Sequence, residues 1–466
     1  MRHSNRFRLA ALPLAFAATF AHAAPVPGDR VYTADQNTNT VSVIDPASNT
    51  LLGQIVLGNV RPDVLSPLYR GEINVHGMGF SPDHKTIVAV SNGSNSVTFI
   101  DTETNAVKGK TYIGRSPHEA FFTADGTAVW AVVRGEDYIS VIDAHTFKET
   151  GRIKVPNGPG MVQFLPNNTL AFVVSSFTPE VVVIDVASQK IIKSIPVASP
   201  FSPFLQFTPD LKEVWMTHKD VGKVTRIDTT TFAVTEVIDT GLVTNHLGFA
   251  KTAKGVLAYV SIGGEDVVKV YSTGPKSHLV DTIHTGALPH GVWPSGDGAR
   301  IYVGLENGDA VDVIDTATNK VIKRVPVGQA PQALVYLPGA VTGGTGTANL
   351  VPRVNADSVN VALRPTGKQG TGFIVVRHLG LFDSIESFLF KLKPMTAYSV
   401  FVSGQDAPIG AFRTNDKGMA NGTAIGPLRA ASDGLGKQAA GVVYVTEAVA
   451  GQTSAQSLAA AVLRSE

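Results

Sequence analysis

Val41-Ser42-Val43-Ile44-Asp45 is the stretch on which the fold turns, because the chain repeats it. It returns as Val97-Thr98-Phe99-Ile100-Asp101, Ile139-Ser140-Val141-Ile142-Asp143 and Val181-Val182-Val183-Ile184-Asp185. Three further copies are Val224-Thr225-Arg226-Ile227-Asp228, Val267-Val268-Lys269-Val270-Tyr271 and Val311-Asp312-Val313-Ile314-Asp315. The intervals are 56, 42, 42, 43, 43 and 44 residues, so only the first carries an insertion, of about 14 residues. Each copy holds four short β-type runs. In the second they are Val75 to Phe80, Thr86 to Val90, Ser96 to Asp101 and Ala106 to Ile113, with turn pairs Pro82-Asp83 and Asn92-Gly93 between. Four strands every 43 or so residues is the signature of a propeller blade, and seven copies predict a seven-bladed β-propeller. The apolar i, i+3, i+4 spacing of a helical repeat is missing.

The phase of the repeat predicts how the ring closes. Val31 to Ala34 corresponds to a second strand, whereas Gln332 to Leu337 is a first strand with no partners after it. The two chain ends therefore complete one blade, which removes the sheet edges that invite aggregation.

Composition narrows the function classes. The net charge is +1 and charged residues make up 17% of the 466, against about 25% in an average soluble domain. Bulk attraction to nucleic acid is therefore not expected. Cysteine is absent, which excludes disulfides, thiolate metal sites, cysteine nucleophiles and covalent c-type haem. Arg2, Arg6 and Arg8 precede an apolar run, Leu9 to Phe20, and Ala21-His22-Ala23 reads as a cleavage site. This is the layout of a signal peptide over residues 1–23, and the expected location is periplasmic or secreted. The 12 apolar residues fall short of the roughly 20 that span a bilayer, and no later stretch qualifies as a transmembrane segment.

The repeat unit also carries a resemblance. Val41 to Asn49 (VSVIDPASN), Val311 to Asn319 (VDVIDTATN) and Pro289-His290-Gly291-Val292 resemble the YVTN-repeat β-propeller family. That family is similar to the propeller domains of dissimilatory nitrite reductase and methylamine dehydrogenase. The resemblance covers roughly residues 30 to 340 and implies the fold; the family hosts binding proteins, scaffolds and a few enzymes, so it implies no single activity.

The expected organisation is a propeller over residues 24–340, a Gly-rich linker over 341–355 and a small antiparallel β-sandwich over 356–466. Gly339, Gly343, Gly344 and Gly346 mark the linker. Beyond it, Ser358 to Leu363, Gly372 to His378, Ser387 to Leu392, Ala397 to Ser403, Ile409 to Arg413 and Gly441 to Thr446 read as strands. Asn415-Asp416-Lys417-Gly418 and Asn421-Gly422 read as turns, and Thr453 with Gln456 reads as the cap of a short helix over Ala455 to Leu463.

In a propeller the first strands line the channel, and ligand sites gather where loops converge on one face. Aligning the first strands gives one opening position per blade: His246, His290, Gln332, His76, His118, Gly160 and Pro203 in circular order. The four histidines form a one-sided arc. Neutral imidazoles there suit a transition metal or a haem-type group, or acid–base work near pH 7. Duplication of an ancestral blade with Pro-His-Gly explains the same recurrence as architecture. The insertion before His76 supplies Arg61, Asp63, Tyr69, Arg70 and Glu72 as a lid; the loops after second strands supply Arg134, Glu136, Asp137, His218, Lys219 and Asp220. Arg61, Tyr69, Arg70, Arg134 and His218 are the candidate ligand-binding residues, His76, His118, His246 and His290 the candidate metal ligands, and Glu72 and Glu119 the candidate catalytic carboxylates. No phosphate-binding loop, nucleophile elbow or zincin motif occurs, so the sequence leans away from an enzyme. The leading expectation is an exported binding or scaffold protein that offers its channel face to a small ligand or a protein partner. The alternative is a metal- or haem-associated redox protein using the histidine arc, and the third reading is a lactonase-type hydrolase.

Overall fold

A computed structural model describes residues 27–59, 68–354, 358–379, 382–403, 407–426, 443–449 and 458–465. The described residues form seven four-stranded antiparallel sheets and one eight-stranded sheet. The seven sheets are the blades. Their innermost strands are Val75–Phe80, Pro117–Phe122, Pro159–Phe164, Leu205–Phe207, Thr244–Thr252, Pro289–Pro294 and Pro331–Leu337, each against the next around a closed ring. We number the blades 1 to 7 in that order. Blade 7 is built from both chain ends: Pro331–Leu337 pairs with Arg30–Asp35, followed by Thr40–Asp45 and Thr50–Val56. No helix among the described residues is long and apolar enough to cross a membrane.

The repeated Asp has a local cause. Asp45, Asp101, Asp143, Asp185, Asp228 and Asp315 end the third strands of six blades. Each carboxylate accepts a backbone N–H two or three residues on, at 2.7 to 3.0 Å. The residue four positions after each Asp (Asn49, Asn105, Phe147, Gln189, Phe232, Asn319) sits at positive φ. The side chain thus mimics a backbone turn and starts the fourth strand. The repeat motif is turn chemistry at the blade rim, not a binding signature. Between blades the sheets pack face to face, as where Trp130 meets Phe164 edge-on at 5.0 Å and Trp215 meets Phe249 at 5.3 Å.

Glycine after histidine has a steric cause. A Cβ on Gly77 would overlap the carbonyl oxygen of His118 on the next inner strand, and one on Gly291 would lie 2.5 Å from that of Gln332. The His-Gly pairs thus allow inner strands to approach closely where the ring is narrowest. Gly77→Ala is expected to lower unfolding stability by about 1–3 kcal/mol through overpacking. Gly151→Ala, whose Cβ would meet nothing within 4 Å, is the control and should change stability by less than about 1 kcal/mol. Urea unfolding of the two variants checks the contrast.

The C-terminal sheet runs, in spatial order, Gly410–Arg413, Ala397–Val402, Val443–Glu447, Leu463–Ser465, Val359–Pro365, Thr371–Leu379, Phe382–Phe390 and Ala420–Gly426. Its two edge strands come back into contact, so this sandwich-like sheet is nearly closed around Leu363, Ile374, Val400 and Leu463. Two local readings are corrected. Asn421-Gly422 is not a turn but lies mid-strand, with Asn421 opposite Phe388 and Gly422 opposite Ser387. A Cβ on Gly422 would overlap the Phe412 ring, so this glycine admits an aromatic from the opposite edge strand. Leu463 is not helical; it opens a strand paired with Val359–Pro365 and Val443–Glu447. Of the rest of the helix expectation, Leu458 and Ala459 are helical and Ala460 is a turn, while residues 450–457, with the expected cap, lie outside the described residues, as do 1–23.

The glycine-rich stretch lies along the propeller flank. Asn105 Nδ2 donates to the carbonyls of Gly346 and Ala348, both at 2.9 Å. Val351 forms a two-way backbone bridge with Gln54.

Candidate ligand site at the channel mouth

Four imidazoles meet at one end of the channel. The rings of His76 and His118 are 4.7 Å apart, His246 and His290 4.6 Å, and His76 and His290 6.5 Å, while Phe204 stacks on His246 at 3.9 Å. All four histidines are at most 8% exposed. Burial, reinforced by nearby Arg134, Lys219 and the other imidazoles, holds their pKa values well below the usual histidine range. They are neutral at pH 7.

Hydrogen bonds assign the tautomers of three. Nδ1 of His118 lies 2.6 Å from the Gly160 carbonyl, and Nδ1 of His290 lies 3.2 Å from that of Gln332. A carbonyl only accepts, so both Nδ1 atoms carry the hydrogen and both Nε2 atoms keep a lone pair. His76 Nδ1 lies 2.7 Å from Gln36 Oε1 and follows the same pattern.

A second tier surrounds this cluster. The first residue after each second strand occupies the same place in its blade: Gln36, Asn92, Arg134, Ser176, Lys219, Gly263 and Glu306. Gln36 bonds His76, and Arg134 and Lys219 act electrostatically on the imidazoles. Neither Arg134 nor Lys219 makes a side-chain hydrogen bond or ion pair with any described residue. Burial lowers the pKa of Lys219 and brings that of Arg134 down to about 10, so Arg134 stays charged at pH 7. The acidic neighbour of Arg134 is Glu119, which accepts the Met78 N–H at 2.9 Å. Burial pushes the Glu119 carboxyl up to about 8, with Arg134 and that hydrogen bond opposing. Arg134 therefore faces a carboxyl that is mostly protonated at pH 7.

The C-terminal sheet roofs this mouth. Arg377, fully buried, pairs with Glu386 and lies 3.8 Å from Asp309, and its Nη2 donates to the Glu306 carbonyl at 2.9 Å. Asn37 donates to Glu386 at 3.0 Å, and Lys417 pairs with Asp220.

The sequence-derived candidates divide. His76, His118, His246, His290, Glu119 and Arg134 come together at the mouth. Glu72 does not: it is buried on the third and fourth strands of blade 1 with Ser94, Ser96 and Lys110. Tyr69 donates to the Glu72 carbonyl at 2.9 Å and accepts the Asn59 N–H at 2.7 Å. Arg70 is exposed, and Arg61 lies outside the described residues. His218 is fully buried inside blade 4, with Ser202 on Nδ1 at 2.7 Å and Thr225 on Nε2 at 2.6 Å. Among the described residues no three His, Asp or Glu side chains converge as metal ligands. Gln36, Phe204, Glu306 and Arg377 were not among the candidates. The first and third could be found by aligning the positions after second strands as the opening positions were aligned.

No protein-family model matches the chain. Among curated proteins it is similar to an uncharacterized protein, YncE, of Salmonella typhimurium, with 33% identity over 96 residues, 21% of this chain and 26% of that one. The counterpart from Salmonella typhi is 32% identical over 96 residues, again 21% and 26% of the two chains. The chain thus spans about a quarter of the length of these relatives. Among solved structures it is similar to hydrazine synthase of Kuenenia stuttgartiensis (TM-score 0.53, 20% identity, 63% of this chain and 94% of that one). It is also similar to a functionally unknown protein from Desulfotomaculum acetoxidans (0.56, 14%, 66% and 98%). A third is dihydro-heme d1 dehydrogenase NirN in complex with DHE (0.50, 13%, 88% and 78%). These likenesses establish the β-propeller fold.

Proposed function

We propose that the protein is an exported binding protein of the YVTN-repeat type that holds a small ligand at its channel mouth, under the C-terminal sheet. The observation that carries this is the pair Arg134 and Lys219, two half-buried cations at one mouth without hydrogen-bond or ion-pair partners among the described residues. A charge partly withdrawn from water and left unpaired is costly, and an arriving anionic group offsets that cost. The roof formed by the C-terminal sheet favours a small ligand over a folded protein partner at this face. Residues 1–23 supply the grounds for export, and a mature chain beginning at or near Ala24 is the expected result of N-terminal sequencing.

A second reading, cofactor handling, draws on the tautomers. Three imidazoles anchored through Nδ1 present unprotonated Nε2 atoms, the arrangement a metal-ligating histidine uses. Because no three donors converge among the described residues, these do not fit a metal held by their own side chains alone. This reading therefore needs a metal carried within an organic group, such as a haem-type cofactor, that takes one or two imidazoles. Such a group would supply redox chemistry, with His76, His118, His246 and His290 as the residues to hold it. The solved NirN complex, a distant likeness, adds to this reading only through its fold.

Metal content and visible spectrum of protein purified from its native source without chelators separate the readings. About one metal or chromophore per chain, lost in His76→Ala/His290→Ala, carries the cofactor reading. A colourless chain that holds a non-covalent small molecule carries the binding reading. A bare, colourless wild-type chain argues against both.

A further inference from the structure

Between the propeller mouth and the C-terminal sheet lies a cleft of about 230 Å³, which Lys219 and Glu306 both line. This is small beside the roughly 300–1,000 Å³ of drug-sized sites, so it suits a ligand of few atoms. Its walls are largely apolar: Phe201, Val243 and Leu288 come from loops of blades 4, 5 and 6, and Phe388, Phe390 and Met419 from the sheet above.

Its charges are balanced and unsatisfied. Lys219 and Glu306 attract each other electrostatically but form no ion pair. Glu306 Oε2 is buried without a hydrogen bond. Asp220, also on the cleft wall, is taken by Lys417. Arg134 lies within electrostatic reach of Lys219, and Arg377 within reach of Glu306, its strongest partner being Glu386. Among the described residues, one cation and one carboxylate without ion-pair partners therefore face a small apolar space without meeting. A ligand with a single charge would satisfy one and leave the other half-buried and unpaired.

We propose that this cleft takes a small zwitterion with an apolar side chain, the class represented by the free apolar α-amino acids. The carboxylate goes to Lys219, the ammonium to Glu306, and the side chain lies against the phenylalanines. This rests on the binding reading above and specifies its ligand.

The test is calorimetric titration of the full chain with L-leucine and L-phenylalanine. Beside them run 4-methylpentanoate and 3-phenylpropanoate, which lack the amine, and isopentylamine and phenethylamine, which lack the carboxylate. The amino acids are expected to bind at least tenfold more tightly than either analogue. Lys219→Met should weaken them at least tenfold, and Glu306→Gln should abolish the preference for the amine-bearing ligand. Analogues binding as tightly as the amino acids would overturn the proposal, as would no binding of either amino acid to the wild-type chain. The wild-type comparison stands even if a variant fails to fold. A wild-type chain that binds no amino acid yet carries a Lys219-dependent adduct from its native source overturns the ligand class alone. One that does neither overturns the binding reading too.

Discussion

Arg377→Met is expected to loosen the C-terminal sheet from the propeller and to cost about 3–5 kcal/mol, the usual penalty for breaking a buried ion pair from one side. The side chain is 0% exposed and engages Glu386, Asp309 and the Glu306 carbonyl. Asp309 is itself buried and also accepts the N–H groups of Ser358 and Ala330, both at 3.1 Å. Removing the guanidinium thus leaves two carboxylates without their cation at the seam between the two units. Methionine keeps most of the volume, so the loss reports charge and not a cavity. Arg377→Met combined with Glu386→Leu should recover part of it, because one of the two uncompensated carboxylates is then removed while Asp309 remains. Denaturant unfolding measures the loss, and hydrogen exchange at Glu306 and Asn307 locates it. A single variant that costs less than about 1 kcal/mol would show that the roof is held by something else.

Stability is expected to peak near pH 6.5 and to fall on both sides. His76, His118, His246, His290 and His218 are neutral in the fold, their pKa values lowered chiefly by burial, that of His218 to about 4. Below about pH 6.5 the unfolded chain takes up protons that these five cannot, so stability is lost as pH falls. Two carboxyls act in the opposite sense. Asp35 is raised to about 7 by burial, although the hydroxyls of Thr33, Thr40 and Ser42 donate to it and oppose the rise, and Asp309 adds to it. Glu119 is raised to about 8. Between their unfolded and folded values the native state holds the extra proton, so their contribution declines as pH rises through 7 and 8. Five imidazoles outweigh two carboxyls on the acid side, where the expected loss reaches several kcal/mol by about pH 5. On the alkaline side the two carboxyls give a fall of roughly 3 kcal/mol between pH 6.5 and 8. Asp35→Asn/Glu119→Gln should flatten the alkaline limb and leave the acid limb in place. Urea unfolding from pH 5 to 9 reads both limbs, and a flat profile would contradict the burial of these groups.

The fold was legible because its determinants are local. Each Val-Ile-Asp string carries a β-run and the carboxylate that turns the chain into the next strand, so the period of the string is the period of the blade. The chain-end closure followed from phase alone. The Asn421-Gly422 pair misled for the converse reason. Its turn signal is local, but the pair is held extended by strand pairing with Ser387 and Phe388, and the glycine leaves room for the Phe412 ring. The site was half legible. Opening positions of inner strands share one backbone role, so their alignment found the histidines. His218 and Glu72 could not be sorted from Arg134 and Glu119 that way. Whether a side chain turns toward the channel or into its own blade depends on partners such as Ser202 and Ser96, set by tertiary packing.

Native mass spectrometry of the full chain from its native source, wild type beside Arg134→Met/Lys219→Met, tests the central claim most directly. A non-covalent small-molecule adduct is expected on the wild-type chain and is expected to be absent from the folded double variant. A wild-type chain that carries nothing, or an adduct that survives loss of both cations, would contradict a ligand site at the channel mouth.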